Sequence, residues 1–227
     1  MNALLLVLAI APGLLISYWV YRLDLYDKEP RLHIALSFVV GIIAAFLAIK
    51  IETWGATHWR LPQHIGGVIL SSFILISLVE ESIKWACLLF YPYRQPFFNE
   101  PMDGILYAVM IAMGFATFEN VMFAWKHNLT TMLLRAFTAV PAHALFAVIM
   151  GYYAGSAHFS DKKPSVLLFR GWLIAVALHG AYDFFLMQKA YKELTLLALV
   201  TLALCLYLAL RLIKLHQENS PFRKEGG

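Results

Sequence analysis

Seven apolar segments, each about as long as a membrane-spanning helix, make up most of this chain of 227 residues. They lie at residues 2–21, 33–51, 65–91, 102–125, 129–153, 165–187 and 194–215. A backbone inside a bilayer must form its hydrogen bonds internally, which favours helices. The sequence therefore predicts an all-α, polytopic transmembrane helix bundle. It forms a single integral-membrane domain over residues 1–227, in which 216–227 are a short polar cytoplasmic tail.

The basic residues of the loops predict the orientation of the bundle, because Lys and Arg are retained on the cytoplasmic side. With the N-terminus outside, eleven of them fall in cytoplasmic segments and five in outer ones. The eleven are Arg22, Lys28, Arg31, Arg94, Lys162, Lys163, Arg170, Arg211, Lys214, Arg223 and Lys224; the five are Lys50, Arg60, Lys126, Lys189 and Lys192. This predicts an outer N-terminus and a cytoplasmic C-terminus. The isoelectric point near 9.0 then needs no nucleic-acid partner.

Two adjacent glutamates, Glu80 and Glu81, lie in the middle of the third apolar segment, with Lys84 one turn further on. A charge at the centre of a membrane helix costs roughly 2.5–3.5 kcal/mol, and such residues usually face the bundle interior and mark function. Glu80 and Lys84 can pair because residues i and i+4 share a helix face, whereas Glu81 points about 100° away from Glu80. The structural alternative is an ion pair with a spare glutamate.

Three further segments carry polar groups at membrane depth. They are Glu119 and Asn120 in the fourth, Arg135 and His143 in the fifth, and His179 and Asp183 in the sixth. At a rise of 1.5 Å per residue, Glu80, Glu119, His143 and His179 occupy a band about 14 Å deep along the membrane normal. Helix tilt or a water-filled cavity is therefore needed to bring them together. Interhelical hydrogen bonds contribute about 0.6 kcal/mol on average, too little to offset so many buried charges. A purely structural scaffold is therefore disfavoured.

These side chains suit more than one kind of chemistry, and their spacing does not separate the possibilities. A buried Glu can act as a general base toward a water that attacks a carbonyl, and imidazoles with carboxylates are suitable zinc ligands. His179 and Asp183 share one helix face, where the carboxylate can orient the imidazole or bind a metal beside it. No HExxH motif decides between them. The alternative function is a proton- or ion-coupled transporter that uses the same groups as a relay.

Four short motifs carry a resemblance to a known family. In chain order they are Glu80-Glu81-x-x-Lys84, Gly114-Phe115-Ala116-x-x-Glu119-Asn120, His143, and His179-Gly180-x-Tyr182-Asp183-Phe184, preceded by Asp27-Lys28-Glu29-Pro30. In this order they resemble the PrsW family of bacterial intramembrane proteases, which is distantly similar to the CAAX prenyl endopeptidases and the Abi proteins. Glu119 stands where the CAAX endopeptidases carry a histidine, so that match is chemical rather than identical.

The resemblance implies a multi-pass protease of the bacterial inner membrane. Such an enzyme would make the first cut in a single-pass anti-sigma factor, and its catalytic type, glutamate or metal, stays open. The expected catalytic residues are Glu80, Glu81, Glu119, His143 and His179. A metal, with zinc as the candidate, would bind Glu81, Glu119, His143 and His179. Asn120 and Asp183 are expected to support these groups or to bind the oxyanion, and Lys84 to serve as a counter-ion.

Overall fold

The computed structural model describes residues 3–62, 64–161 and 163–223, and over these ranges the only regular secondary structure is helical. The remaining positions are residues 1–2, Gln63, Lys162 and 224–227. Two lysines counted for the predicted orientation, Lys162 and Lys224, and the end of the predicted tail therefore lie outside the described residues.

Nine α-helices, one π-helical segment and two short 3-10 turns are described. The α-helices are α1 (Ala3–Leu23), α2 (Arg31–Trp59), α3 (Ile65–Leu70), α4 (Leu78–Phe90), α5 (Pro101–Ala124), α6 (Leu129–Phe137), α7 (Ala139–His158), α8 (Pro164–Met187) and α9 (Leu196–Glu218). The π-helical segment is Ser71–Ser77, and the 3-10 turns are Pro92–Arg94 and Lys192–Thr195. Seven helical stretches are long and apolar enough to cross a membrane. The predicted all-helical bundle with seven spans is confirmed.

Two spans differ from their predicted form. The second runs from Arg31 to Trp59 rather than over 33–51, because the polar residues after Ile51 continue the same helix. The fifth is divided at Thr138 into α6 and α7. Pro141 accounts for this break, since it has no N–H to donate to the carbonyl of Phe137 four residues earlier, and its ring crowds that carbonyl.

The third span is helical throughout, although it carries Glu80, Glu81 and Lys84. Its middle is the π-helical segment Ser71–Ser77, which passes into α4 two residues before Glu80. Ser77 donates its hydroxyl to the carbonyl of Phe73 at 3.1 Å. π-Helical turns inside α-helices are rare and are frequent at functional sites.

Helix α5 is the centre of the bundle, and most of its residues are buried. It packs against α1, α2, α4, α7 and α9. A Cβ atom at Gly104 of α5 would lie 2.4 Å from the carbonyl oxygen of Gly151 on α7, so neither position has room for a side chain. This direct backbone contact brings α7, with His143, against α5, with Glu119.

Candidate active site

The ammonium group of Lys84 lies at the centre of a buried polar group in the interior of the bundle. Its Nζ atom is 3.2 Å from Glu80 Oε2, 2.7 Å from Glu81 Oε1 and 3.0 Å from His143 Nδ1. It also lies 4.3 Å from the ring centre of Phe115. All three polar partners of Lys84 are less than a tenth exposed. Burial of this kind requires charges to be paired, and Lys84 pairs with both glutamates.

The two histidines have matching environments. His179 Nδ1 lies 2.7 Å from Glu81 Oε1, and its Nε2 lies 3.3 Å from Asp183 Oδ2. His143 Nδ1 faces Lys84, and its Nε2 lies 3.1 Å from Glu119 Oε2. Each imidazole therefore turns Nδ1 toward the centre of the group and Nε2 toward an outer carboxylate.

Glu119 is held by a second cation, Arg135, at the outer edge of the group. The Arg135 NH2 atom lies 3.0 Å from Glu119 Oε2, and its Nε donates to Asn120 Oδ1 at 2.7 Å. The guanidinium also covers the ring of Phe123 at 3.7 Å from the ring centre. Because one arginine contacts both Glu119 and Asn120, helix α6 fixes these two neighbours of α5 together.

Local backbone features bring the four helices to this point. Helix α8 packs directly on the π-helical segment, where a Cβ atom at Gly180 would lie 2.4 Å from the ring of Phe73. His179, the next residue, therefore comes close enough to contact Glu81. The indole of Trp172 donates to the hydroxyl of Ser82 at 3.0 Å and ties α8 to α4 a second time.

The polar group opens into a cavity of about 380 Å³. Its polar lining consists of Glu52, Glu80, Glu119, Arg135, His143, His179, Tyr182 and Asp183, and its apolar lining of Ile76, Phe123, Ala139, Ala142, Phe146, Leu186 and Met187. Among the described residues that line it, Glu80 of the glutamate pair is present and Glu81 is not. Glu80 is thus the member of the pair that faces the cavity.

A second cavity of about 270 Å³ adjoins the first and shares Glu52, Glu80, Glu119 and Phe123 with it. It continues to Lys126 and His127, which are exposed in the turn after α5. The two cavities together give the buried glutamates a polar connection to that end of the bundle.

The structure brings most of the predicted site residues into one contact network. Glu80, Glu81, Lys84, His143 and His179 form its centre, and Glu119 and Asp183 contact the outer nitrogens of the histidines. Glu81 is not a spare glutamate, since it contacts both Lys84 and His179. Asn120 contacts Arg135 and is not among the described residues that line either cavity.

Three polar residues of the cavity lining, Glu52, Arg135 and Tyr182, are absent from the predicted site residues. Glu52 lies in the part of α2 beyond the predicted span, and its Oε1 is buried without a hydrogen-bond partner in the described chain. Arg135 pairs with Glu119 inside the bundle. Its sequence signal was present, because an arginine within an apolar span requires an acidic partner. Glu52 falls just outside the predicted span 33–51, so the sequence did not mark it as a charged residue within the membrane.

The donors at the centre fit a divalent metal. One ligand atom from each of Glu80, Glu81, His143 and His179 lies within 4.8 Å of the others, and carboxylates with imidazoles are suitable zinc ligands. This group contains Glu80 where the predicted metal set has Glu119. The outer carboxylates, Glu119 and Asp183, lie where second carboxylates orient metal-binding imidazoles. Lys84 and Arg135 balance only two of the four carboxylates in formal charge.

The fold and this site define a multi-pass membrane protein with a buried Glu/His centre, an arrangement suited to hydrolysis. Comparison with known proteins identifies the family. Residues 29–210 match the PrsW-protease family, described as PrsW family intramembrane metalloprotease. The chain belongs to the PrsW family of intramembrane proteases, so it is a peptidase by class, and the resemblance predicted from its motifs is confirmed.

Curated relatives agree with this assignment. Protease PrsW of Geobacillus kaustophilus strain HTA426 is 34% identical over 194 residues, covering 84% of this chain and 84% of that protein. Protease PrsW of Bacillus subtilis strain 168 is 36% identical over 179 residues, covering 78% and 80%. Protease PrsW of Clostridioides difficile strain 630 is 33% identical over 202 residues, covering 86% and 84%. No solved structure matches the chain. Nothing in these relatives favours the transporter alternative.

Proposed function

We propose that this protein hydrolyses a peptide bond of a membrane-anchored substrate at the Glu80–His143–His179 end of the 380 Å³ cavity. The substrate is a single-pass anti-sigma factor, and the cut is the first (site-1) step of its regulated intramembrane proteolysis in the bacterial inner membrane. The observation that carries the proposal is the cavity itself, which joins apolar walls to a buried acid and two imidazoles. The choice of substrate follows the family resemblance.

Glu80 is the proposed general base. Glu81 has its Oε1 engaged by both Lys84 and His179, so this carboxylate is committed to holding the site together. Glu80 contacts Lys84 through Oε2 only and lines both cavities. A base must come within hydrogen-bonding reach of the water that it deprotonates. Water that enters through the second cavity, past Lys126, reaches Glu80, which lines that cavity.

Zinc is the proposed metal, held by Glu81, His143 and His179 of the four-donor group, which leaves Glu80 free to act as the base. When bound, it supplies Lewis-acid activation of the water and of the scissile carbonyl. The chain's own contribution is to orient both imidazoles through Glu119 and Asp183. Lys84 contacts Glu81 and His143 Nδ1, so its ammonium competes with a metal for these ligands.

Arg135 and Tyr182 are the proposed donors to the carbonyl oxygen as it gains negative charge. Both line the cavity, and the Tyr182 hydroxyl is buried without a hydrogen-bond partner in the described chain. Donors that are fixed before the reaction begins stabilise an oxyanion most effectively. Asn120 serves this step indirectly, because it holds the Arg135 side chain.

The cavity walls indicate how the substrate is held. Ile76 lies on the π-helical segment, and Leu186 and Met187 lie at the end of α8. These side chains suit the apolar residues of an unwound transmembrane segment, whose peptide bond then lies against the polar groups. With the N-terminus outside, the route past Lys126 opens on the outer face, which places the cut on or near the extracytoplasmic side.

The test is cleavage of a single-pass anti-sigma factor by the purified protein in nanodiscs, with the cut mapped by mass spectrometry. We expect one major cut, within or just outside the outer half of the transmembrane segment. Glu81→Gln should abolish it, whereas Glu193→Gln, a matched change at an exposed turn, should cleave as the wild type does. Equal cleavage by Glu81→Gln and wild type would reject the site, and cuts only in the cytoplasmic part would reject the orientation.

A further inference from the structure

Four buried carboxylates lie together at the other end of the bundle from the Glu/His group. Asp24, Glu29, Glu100 and Asp103 are each 3% exposed or less. Asp103 and Glu119 both lie on α5, and their separation in sequence corresponds to about 24 Å along the helix. The four carboxylates, called here the acidic cluster, are therefore distinct from the proteolytic site.

Two segments of the chain build the acidic cluster. Asp24 and Glu29 belong to the connection between α1 and α2, whereas Glu100 and Asp103 form a capping box at the start of α5. Asp103 Oδ2 accepts hydrogen bonds from the backbone N–H groups of Asn99 at 2.7 Å and Glu100 at 2.8 Å. The Asp24 carboxyl group lies against that of Glu100, and the Glu29 carboxyl group lies against that of Asp103.

Several oxygens of the cluster have no hydrogen-bond donor in the described chain. They are both carboxylate oxygens of Asp24, Glu100 Oε1, Asp103 Oδ1 and the side-chain oxygen of the adjoining Asn99. Leaving a buried acceptor unsatisfied costs about 1–3 kcal/mol, and more for a charged group. All of these atoms are acceptors, so their common need is for a positively charged partner.

The nearest cation does not meet this need. Lys28 donates its ammonium hydrogens to the backbone carbonyls of Tyr21, at 2.9 Å, and Asp24. Two neutral hydroxyl groups also donate hydrogen bonds to the cluster, Tyr107 to Glu29 and Ser220 to Glu100. Burial and the neighbouring carboxyl groups raise the pKa of Asp24 to about 7 and that of Glu29 to about 7. Near neutral pH, Asp24 and Glu29 therefore release their protons easily, and a metal cation can replace those protons in the cluster.

We propose that Asp24, Glu100 and Asp103, together with the Asn99 side chain, bind a hard divalent cation, Mg²⁺ or Ca²⁺. Both ions prefer oxygen ligands. Within the described residues, the Glu/His group is the one whose ligand atoms all approach within 4.8 Å of one another. Mg²⁺ usually keeps several water ligands and is bound through one or two carboxylates, so it does not require every oxygen of the cluster as a direct ligand.

A cation at this site would cross-link parts of the chain that are distant in sequence. Ser220, just after α9, contacts Glu100, and Gln217 near the end of α9 donates to the carbonyl of Leu23 at 2.6 Å. A cation on Asp24 and Glu100 therefore joins the end of α1 and the start of α5 at the point where the C-terminal end of α9 docks. We expect it to stabilise the bundle without taking part in hydrolysis.

The first test is thermal unfolding of the zinc-saturated protein at pH 7.5, titrated with MgCl2 or CaCl2 at constant ionic strength. A site filled to about 100 times its dissociation constant should raise the unfolding temperature by about 5–10 °C. Asp24→Asn/Glu100→Gln should lose this saturable rise, whereas Asp161→Asn, an exposed loop variant, should keep it. A rise that persists in Asp24→Asn/Glu100→Gln, or no rise in the wild type, would overturn the proposal.

A second measurement needs no variant and therefore does not depend on the folding of one. Equilibrium dialysis of the zinc-saturated wild-type protein against ⁴⁵Ca²⁺ should find about one ion bound per chain, displaced by Mg²⁺. Lowering the pH from 7.5 to 5.5 should weaken binding at least tenfold, because protons return to Asp24 and Glu29. If dialysis finds neither bound ⁴⁵Ca²⁺ nor bound Mg²⁺ at 5 mM, the proposal is overturned.

Discussion

The imidazole rings of His143 and His179 meet edge to face, with their centres 5.3 Å apart. Each ring turns Nδ1 inward and is held from outside by a carboxylate, Glu119 for His143 and Asp183 for His179. Two helices thus present the same unit, an imidazole supported by an acid, to a single point beside Glu81. The relationship explains why seven ionisable groups from four helices come together at one place in this bundle.

Removing one outer carboxylate should weaken metal binding without emptying the site of ligands. Asp183→Asn keeps the shape of the side chain but no longer holds the outer nitrogen of His179 as a charged acceptor. We expect zinc affinity to fall about 10–100-fold, measured by competition with a fluorescent chelator. Asp161→Asn, at an exposed position, is the matched control. Unchanged zinc affinity in Asp183→Asn would exclude His179 as a ligand oriented by Asp183.

The two glutamates of the pair should fail in different ways. Glu80→Gln removes the proposed base and should lower kcat roughly 10²–10⁴-fold. Its loss of stability should be smaller than that of Glu81→Gln, because Lys84 stays paired with Glu81 and the contact of Glu81 with His179 is kept. Glu81→Gln breaks contacts with both Lys84 and His179 and should lower activity and stability together, since breaking a buried pair costs about 3–5 kcal/mol. Paired kinetic and thermal measurements separate these outcomes. The roles would be reversed if Glu80→Gln were the unstable variant and Glu81→Gln the stable, inactive one.

Lys84→Met should have opposite effects on the metal-free and the zinc-bound protein. Without metal, Glu80 and Glu81 lose their common cation, which should cost about 3–5 kcal/mol of stability. With zinc, the competing ammonium is gone, so the apparent zinc affinity should rise. Thermal unfolding with and without zinc tests both statements, and Lys214→Met, with a side chain that is 76% exposed, is the control. Equal stability of the metal-free variant and wild type would contradict the role of Lys84 as counter-ion.

Cleavage should require the forked guanidinium group of Arg135, and a positive charge at this position should not be enough. Its guanidinium contacts Glu119 and Asn120 through different nitrogens, a fork that lysine does not reproduce. We expect Arg135→Lys to lower kcat about 10²–10³-fold, the range for loss of an oxyanion donor, with KM changed little. Arg211→Lys, at an exposed position where the native arginine donates to the Tyr207 hydroxyl, serves as the comparison. A change in KM alone would show that Arg135 binds substrate without assisting the reaction.

Stability should fall with rising pH through the acidic cluster when divalent cations are absent. Burial and the neighbouring Glu100 carboxyl group raise the pKa of folded Asp24 to about 7, against the opposing charge of Lys28, whereas in the unfolded chain the pKa is near 4. Between these values the folded state binds more protons, so its stability falls as pH rises. In EDTA, the unfolding temperature of the wild type should fall more between pH 5 and pH 8 than that of Asp24→Asn. Parallel curves would contradict the raised pKa.

The spans and most of the site followed from the sequence because they depend on composition and on helical periodicity. The all-helical bundle follows from hydropathy, and the i, i+4 pairs Glu80–Lys84 and His179–Asp183 form as their spacing predicts. The second contact of Lys84, with Glu81 at i+3, was less apparent, because a flexible lysine can reach both glutamates. The angle between two side chains therefore did not decide whether they share a partner.

Other features depend on tertiary structure that a single sequence does not specify. The estimated depth of about 14 Å assumed straight, regular helices. The π-helical segment before Glu80 and the break at Thr138 before His143 change that geometry. The contact of Gly180 with the Phe73 ring places α8 directly against the π-helical segment. The acidic cluster was also missed, since its members come from loops and a helix start rather than from a charged position within a span.

Metal dependence is tested most directly by proteolysis in nanodiscs with metal-stripped protein, before and after addition of one equivalent of zinc, comparing wild type with His179→Ala. We expect stripping to abolish cleavage of the single-pass substrate and one equivalent of zinc to restore it in the wild type. His179→Ala should stay inactive and bind less zinc. Full cleavage by the stripped wild-type protein, or restored cleavage in His179→Ala, would contradict a metal-dependent proteolytic centre at Glu80, Glu81, His143 and His179.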